Sequence, residues 1–256
     1  RPARPSSRPS FAAPLLDRVR AAPDRALFAF PGRDGWRDIA AADSQPAVIA
    51  LAKGFAAAGI QPGERVGFLA RTTCEWTLVD FAIHYTGAVM VPIYETSSPL
   101  QVHWVLEDSG ARAILTETED HAERFSEIRD DLPAVSLSWR LDQGALDELR
   151  AQGAAIDDAE IERRRSIAVG SDVATLIYTS GSTGRPKGCV LTHANFVDLS
   201  RNTAPALTEL VHQPGASTLL FVTLAHVFAR FISVLSVHGG VRVGHQADTS
   251  QLLPAL

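Results

Sequence analysis

Cysteine is nearly absent. The 256 residues carry two, Cys74 and Cys189, too few for a disulfide framework or a thiolate metal site, which points to a reducing, cytoplasmic setting. Positive charge is not in excess either: 24 Lys and Arg against 29 Asp and Glu leave a formal net charge of -5. No basic field of the kind that selects nucleic acid is present, and nucleic acid is not an expected partner. No apolar run approaches the roughly 20 residues needed to span a bilayer, and the N-terminus lacks the apolar core of a secretory signal; only peripheral contact with a membrane is left open. No repeat of fixed period occurs. The chain begins at Arg1 without a methionine and stops at Leu256 without a polar tail, so it reads as a segment of a longer protein.

What is present is an ordinary globular composition, 46% hydrophobic and 21% charged, with amphipathic stretches alternating with short β-branched apolar runs. That alternation predicts an α/β fold. The Pro-, Ser- and Arg-rich start reads as an unpacked lead-in over 1–14. Ser44 and Pro46 are expected to open a helix closed by Gly59, with Val48, Leu51, Ala52 and Phe55 on its inner face. Strands are expected at 65–70, 88–91, 111–116, 172–178, 217–222 and 241–243. Helices are expected at 74–87, 98–109, 119–131, 195–211 and 227–237. The continuous apolar run Ala88-Val89-Met90-Val91 suits a parallel strand covered on both faces. The charged stretch 142–166 reads as surface helices between two parts of the chain, 15–170 and 171–256, and Arg163-Arg164-Arg165 as a solvated face. Trp76 and Trp104 read as core.

The strand ending at Tyr178 runs into Thr179-Ser180-Gly181-Ser182-Thr183-Gly184-Arg185-Pro186-Lys187-Gly188. Glycines allow close backbone approach, hydroxyls and amides donate to phosphate oxygens, and a lysine supplies a compact positive charge. Regular structure on both sides argues against a flexible linker. The Walker A pattern G-x-x-x-x-G-K-[ST] does not fit: Lys187 follows Pro186, and Gly188 stands where a metal-binding Ser or Thr is required.

The segment, continued by Cys189-Val190-Leu191-Thr192-His193, resembles the phosphate loop of the adenylate-forming superfamily. Phe221-Val222-Thr223-Leu224-Ala225-His226-Val227-Phe228-Ala229-Arg230 resembles F-L-P-L-A-H-x-x-x-R of its long-chain fatty acyl-CoA synthetases, with Val222-Thr223 where Leu-Pro is usual. Further likeness lies at 59–66, at Glu75-Trp76 and at 91–98, where Glu95-Thr96-Ser97-Ser98 also reads as a helix entry. The resemblance covers about 15–256. It implies layered, mainly parallel sheets with flanking helices, part of the large N-terminal domain of such an enzyme.

It implies further that Thr179 helps hold Mg²⁺, that Ser180, Gly181, Ser182, Thr183 and Gly184 wrap the phosphates of ATP, and that Lys187 neutralises them. His226 is expected to position the acyl carboxylate, with Arg230 anchoring its segment. The implied reaction joins a long-chain fatty acid to CoA through an acyl-adenylate, with ATP and CoA as co-substrates. Delivery of the adenylate to a carrier protein, or a non-catalytic nucleotide-binding role, stays open at this point. The Y-G-x-[ST]-E segment and the late catalytic lysine of the family do not occur between 1 and 256, so this chain alone is not expected to turn over.

Overall fold

The computed structural model describes residues 10–179, 185–211 and 213–255. Packed structure begins earlier than the expected lead-in allows. Phe11 and Ala12 are buried, and helix α1 (Ala13–Ala21) follows with Pro14 in its opening turn, where a missing N–H costs nothing. Phe11, Leu15 and Leu16 join the core, an apolar pattern hidden in the sequence by the Pro-, Ser- and Arg-rich residues before it.

Strands β1 (Ala26–Gly32) and β2 (Gly35–Ala40) form a hairpin; its turn holds Gly35 at φ 122°, a conformation that favours glycine. Helix α2 (Ala41–Ala57) starts ahead of Ser44, which sits inside it and donates its hydroxyl to the Ala40 carbonyl at 2.8 Å, while Pro46 is carried within the helix. The expected start at Ser44 is therefore corrected by one turn.

A run of βα units follows: β3 (Arg65–Leu69), α3 (Cys74–Tyr85), β4 (Val89–Ile93), α4 (Pro99–Ser109), β5 (Ala113–Thr116), α5 (Glu119–Ser126) and β6 (Leu137–Arg140). Thr73 caps α3, and Ser98 caps α4 in a reciprocal box with Gln101, each satisfying backbone donors left free at a helix start. Helices α6 (Ala145–Gln152) and α7 (Asp158–Ile167) cover α2. Arg164 of α7 is buried, and donates to the Ile60 carbonyl at 2.6 Å and to Glu160 at 2.7 Å. It ties two elements together, so the reading of 163–165 as a solvated face fails at its centre.

After β7 (Val173–Thr179) and β8 (Lys187–Thr192), α8 (His193–Thr203) ends before Pro205, and a 3₁₀ turn leads to α9 (Thr208–Val211). Proline interrupts the backbone ladder, so the single helix expected over 195–211 is broken. Strand β9 (Ser217–Leu220), α10 (Val227–Gly239), β10 (Arg242–His245) and α11 (Leu252–Ala255) complete the order.

The strands form a six-stranded sheet, β6-β5-β3-β4-β7-β8, parallel apart from β8, and a four-stranded sheet, β2-β1-β10-β9. Alternation on the central strands buries both faces of the larger sheet. Val66, Phe68, Met90 and Leu115 enter one core with Phe28, Phe55, Trp76 and Val243, while Leu69, Val91, Ile93 and Ile114 face Val102, Val105 and Phe125 of α4 and α5. Each sheet takes strands from both sides of residue 170, so the expected division between 15–170 and 171–256 does not separate the sheets.

Candidate active site

The two arms of the glycine-rich segment leave one hairpin. Strands β7 and β8 pair antiparallel up to Thr179 opposite Lys187, so the segment departs from Thr179 and returns at Lys187 side by side. Ser180, Gly181, Ser182, Thr183 and Gly184 lie outside the described residues. The base of the hairpin is fixed by Tyr178, whose hydroxyl donates to Asp108 at 2.6 Å. Burial and Asp108 both push the Tyr178 phenol upward, so it remains a proton donor near neutrality. Its ring lies so close to Gly188 that a Cβ there would sit 3.0 Å from it, close enough that the ring would have to shift to admit one.

The returning arm rests on α4. The Trp104 indole Nε1 donates to the Pro186 carbonyl at 2.8 Å, and the Arg185 guanidinium lies 4.7 Å from its ring centroid. Trp104 is half-buried, which corrects its reading as core. The signal was in the sequence: the buried stripe of α4 runs through Val102, Val105 and Leu106, and at 3.6 residues per turn Trp104 falls on the opposite side.

His226 caps α10, its Nδ1 accepting from the Phe228 N–H at 3.2 Å. It shares a cleft of about 340 Å³ with Thr179, Pro186, Tyr94, Gln101 and Tyr178. The expected metal ligand and the expected acyl-positioning histidine therefore face one space. Lys187 is exposed at the end of the ladder and is not part of the cleft wall.

The segment before His226 is held by residues that the sequence did not single out for this role. Thr72, buried in the loop between β3 and α3, accepts from Leu224 N–H at 3.0 Å and donates to the Val222 carbonyl at 3.0 Å. The Thr223 hydroxyl donates to Glu95 at 3.0 Å and accepts from Ala225 N–H at 3.3 Å. Threonine in place of the usual proline thus adds a side-chain tie to the loop after β4. Glu95 is part of that tie in addition to preceding the α4 cap.

Arg230 does anchor the segment. It is 1% exposed, donates to Asp80 and to the Thr175 hydroxyl at 2.6 Å each, and lies among Phe11, Trp76 and Phe196. Asp80 stays ionised: burial acts upward on its carboxyl, but Arg230 and His84 outweigh it and hold it low. Burial keeps His84 neutral. His193, beside the cap Thr192, is also structural. Its Nδ1 accepts from the Phe11 N–H at 3.2 Å, and burial, then His84 and Arg230, lower its pKa to about 3. Cys74 is buried and pushed up to about 12 by that burial, so it is not a nucleophile.

Residues 15–255 match the family described as AMP-binding enzyme. The chain belongs to that family. It is 40% identical over 250 residues to the long-chain-fatty-acid CoA ligase FadD15 of Mycobacterium bovis, covering 96% of this chain and 42% of that protein. It thus spans less than half the length of this curated relative. Among solved structures, the anthranilate CoA ligase AuaEII in complex with anthranoyl-AMP aligns with a TM-score of 0.83 at 18% identity, over 97% of this chain and 46% of that one. The N-terminal domain of FACL13 from Mycobacterium tuberculosis aligns with a TM-score of 0.79 at 24% identity, over 96% and 60%. These two likenesses show the fold, and the expected layered α/β architecture of the family's N-terminal domain is borne out. No helix among the described residues is long and apolar enough to cross a membrane.

Proposed function

We propose that the complete protein activates a long-chain fatty acid with ATP and transfers the acyl group to CoA. In the first step a carboxylate oxygen attacks the α-phosphorus and pyrophosphate leaves; in the second the CoA sulfur attacks the acyl carbon and AMP leaves. The observation that carries this reading is the cleft on which Thr179 and Pro186, flanking the glycine-rich segment, meet His226. The naming of FadD15, 40% identical, as a long-chain-fatty-acid CoA ligase supports the acyl and CoA assignments.

In this reading Ser180, Gly181, Ser182, Thr183 and Gly184 wrap the phosphates and Lys187 neutralises them, since phosphoryl transfer needs positioning and charge compensation above all. His226, with Nδ1 committed to Phe228, offers Nε2 to the acyl carboxylate. The described residues include no group of three or more His, Cys, Asp or Glu able to hold a metal. A Mg²⁺ ion would fit as a partner of the nucleotide phosphates, taking the Thr179 hydroxyl from this chain; bound there it would shield phosphate charge. A cytosolic location belongs to the same reading, supported by the two free thiols.

Lys187→Ala in the complete gene product tests the assignment. Losing one charge-assisted contact of about 1.5–3 kcal/mol raises the KM for ATP tenfold or more in a pyrophosphate-release assay. Equal ATP binding by wild type and variant overturns the reading of the loop, and acyl transfer to a carrier protein in preference to CoA overturns the acceptor.

A further inference from the structure

We propose that Trp104 is a positioning residue for the phosphate loop, latching its returning arm through Pro186 and Arg185; the inference rests on the reading of 179–188 as that loop. Proline has no N–H, so the one backbone polar group that Pro186 offers is its carbonyl, and the Trp104 indole takes it at 2.8 Å. The next residue is Lys187, which pairs with Thr179 at the ladder's end. The indole and the ladder therefore hold adjoining residues from two directions, one from α4 and one from β7.

Helix α4 is a firm base for such a latch. Its start is closed by the Ser98 and Gln101 capping box, and Val102, Val105 and Leu106 are buried against the six-stranded sheet. Gln101, one turn before Trp104, lines the same cleft as Pro186 and His226. Arg185 lies over the indole face, an attraction that holds the cation next to a site assigned to polyphosphate. Trp104 thus touches both residues preceding Lys187, and it does so with the polar edge and the face of one ring. A tryptophan that only covered apolar surface would need neither contact.

The N–H and the ring separate in two variants of the complete gene product. Trp104→Phe keeps an aromatic face and removes the donor, and Trp104→Leu removes both. Trp104→Phe is expected to raise the KM for ATP roughly three- to tenfold, the scale of one neutral hydrogen bond, with the KM for fatty acid unchanged and Tm within about 2 °C of wild type. Trp104→Leu is expected to raise the KM for ATP further, and Arg185→Gln to add nothing in its background. The tryptophan emission change on adding ATP is expected in wild type and absent in Trp104→Phe. An ATP KM within twofold of wild type in Trp104→Phe overturns the latch, as does a rise in both KM values together with a lowered Tm, which marks a packing role. Lys187→Ala in the same assay keeps the two ideas apart: if it loses ATP affinity while Trp104→Phe does not, the loop assignment stands and the latch falls.

Discussion

Arg230→Met removes the guanidinium from a polar cluster that the fold buries. Arg230 is 1% exposed and Asp80 5% exposed, so once the guanidinium, 2.6 Å away, is gone the carboxylate has little water to replace it. Removing one partner of a buried ion pair typically costs about 3–5 kcal/mol, because the other charge stays behind uncompensated. A domain is stable by only about 5–15 kcal/mol, so the loss is large enough to read directly from urea unfolding midpoints. Thr175 adds little to it, since its hydroxyl still donates to the Met90 carbonyl at 2.7 Å. The second variant is Arg230→Met with Asp80→Asn, which takes away the orphaned charge and should recover part of the loss. His84 supplies a further signature: it lies 3.2 Å from Asp80 and is lowered partly by Arg230. In Arg230→Met that smaller opposition disappears while burial, the larger cause, remains, so the His84 pKa moves upward from its wild-type position and the deficit relative to wild type narrows on acidification. A loss below about 1 kcal/mol, or a double variant no better than Arg230→Met alone, refutes the account.

Thr72→Val keeps the shape of the residue but strips both bonds to the 222–224 segment and leaves the Leu224 N–H buried without a partner, a cost of about 1–3 kcal/mol. Calorimetry should show a lowered Tm, and the complete protein a raised KM for the acyl substrate; unchanged values in both show that the segment is held by other contacts. Stability should also fall on acidification. His193 and His245 are buried with pKa values near 3 and 4, against an ordinary value near 6.5 when unfolded. The unfolded state therefore binds more protons below pH 6.5, and stability is full above that pH and lost as pH falls. Each histidine contributes a slope of about 1.4 kcal/mol per pH unit between its two values. Urea midpoints that stay flat from pH 7 to pH 5 contradict this.

The elements that were legible in the sequence are those whose pattern is local. The apolar run at 88–91 became β4 with both faces buried, and the Ser98 cap with Gln101 three residues on set the start of α4 as expected. The glycine-rich segment and the His226 stretch were legible as motifs because their residue types are chemically constrained. The hairpin of β1 and β2 was missed, since Phe30-Pro31-Gly32 and Gly35 mix turn residues into a strand pattern. Periodicity places Trp104 off the buried face of α4, but its role and that of Thr72, which the sequence did not single out, are set by partners remote in sequence, Pro186 and Leu224. Arg164 was missed similarly, because an arginine whose guanidinium meets a backbone carbonyl across the core looks, in sequence, like any exposed cation.

The buried polar cluster also explains how the two motifs come to share one cleft. Arg230 belongs to the His226 segment by sequence, yet one of its hydrogen bonds goes to Thr175 of β7, the strand that ends at Thr179. Another goes to Asp80 of α3, the helix that leaves the Thr72 turn. A hydrophobic side chain in place of Arg230 could fill the space among Phe11, Trp76 and Phe196, but it could not distinguish one register of α10 against β7 from another. Directional bonds at 2.6 Å can. Thr72 and Glu95 then repeat the same device nearer the cleft, fixing 222–225 against the loops after β3 and β4. The strand that ends at Thr179 and the segment that carries His226 are thus joined by directional polar ties through Arg230, Thr72 and Glu95, set within an apolar core that supplies the stability.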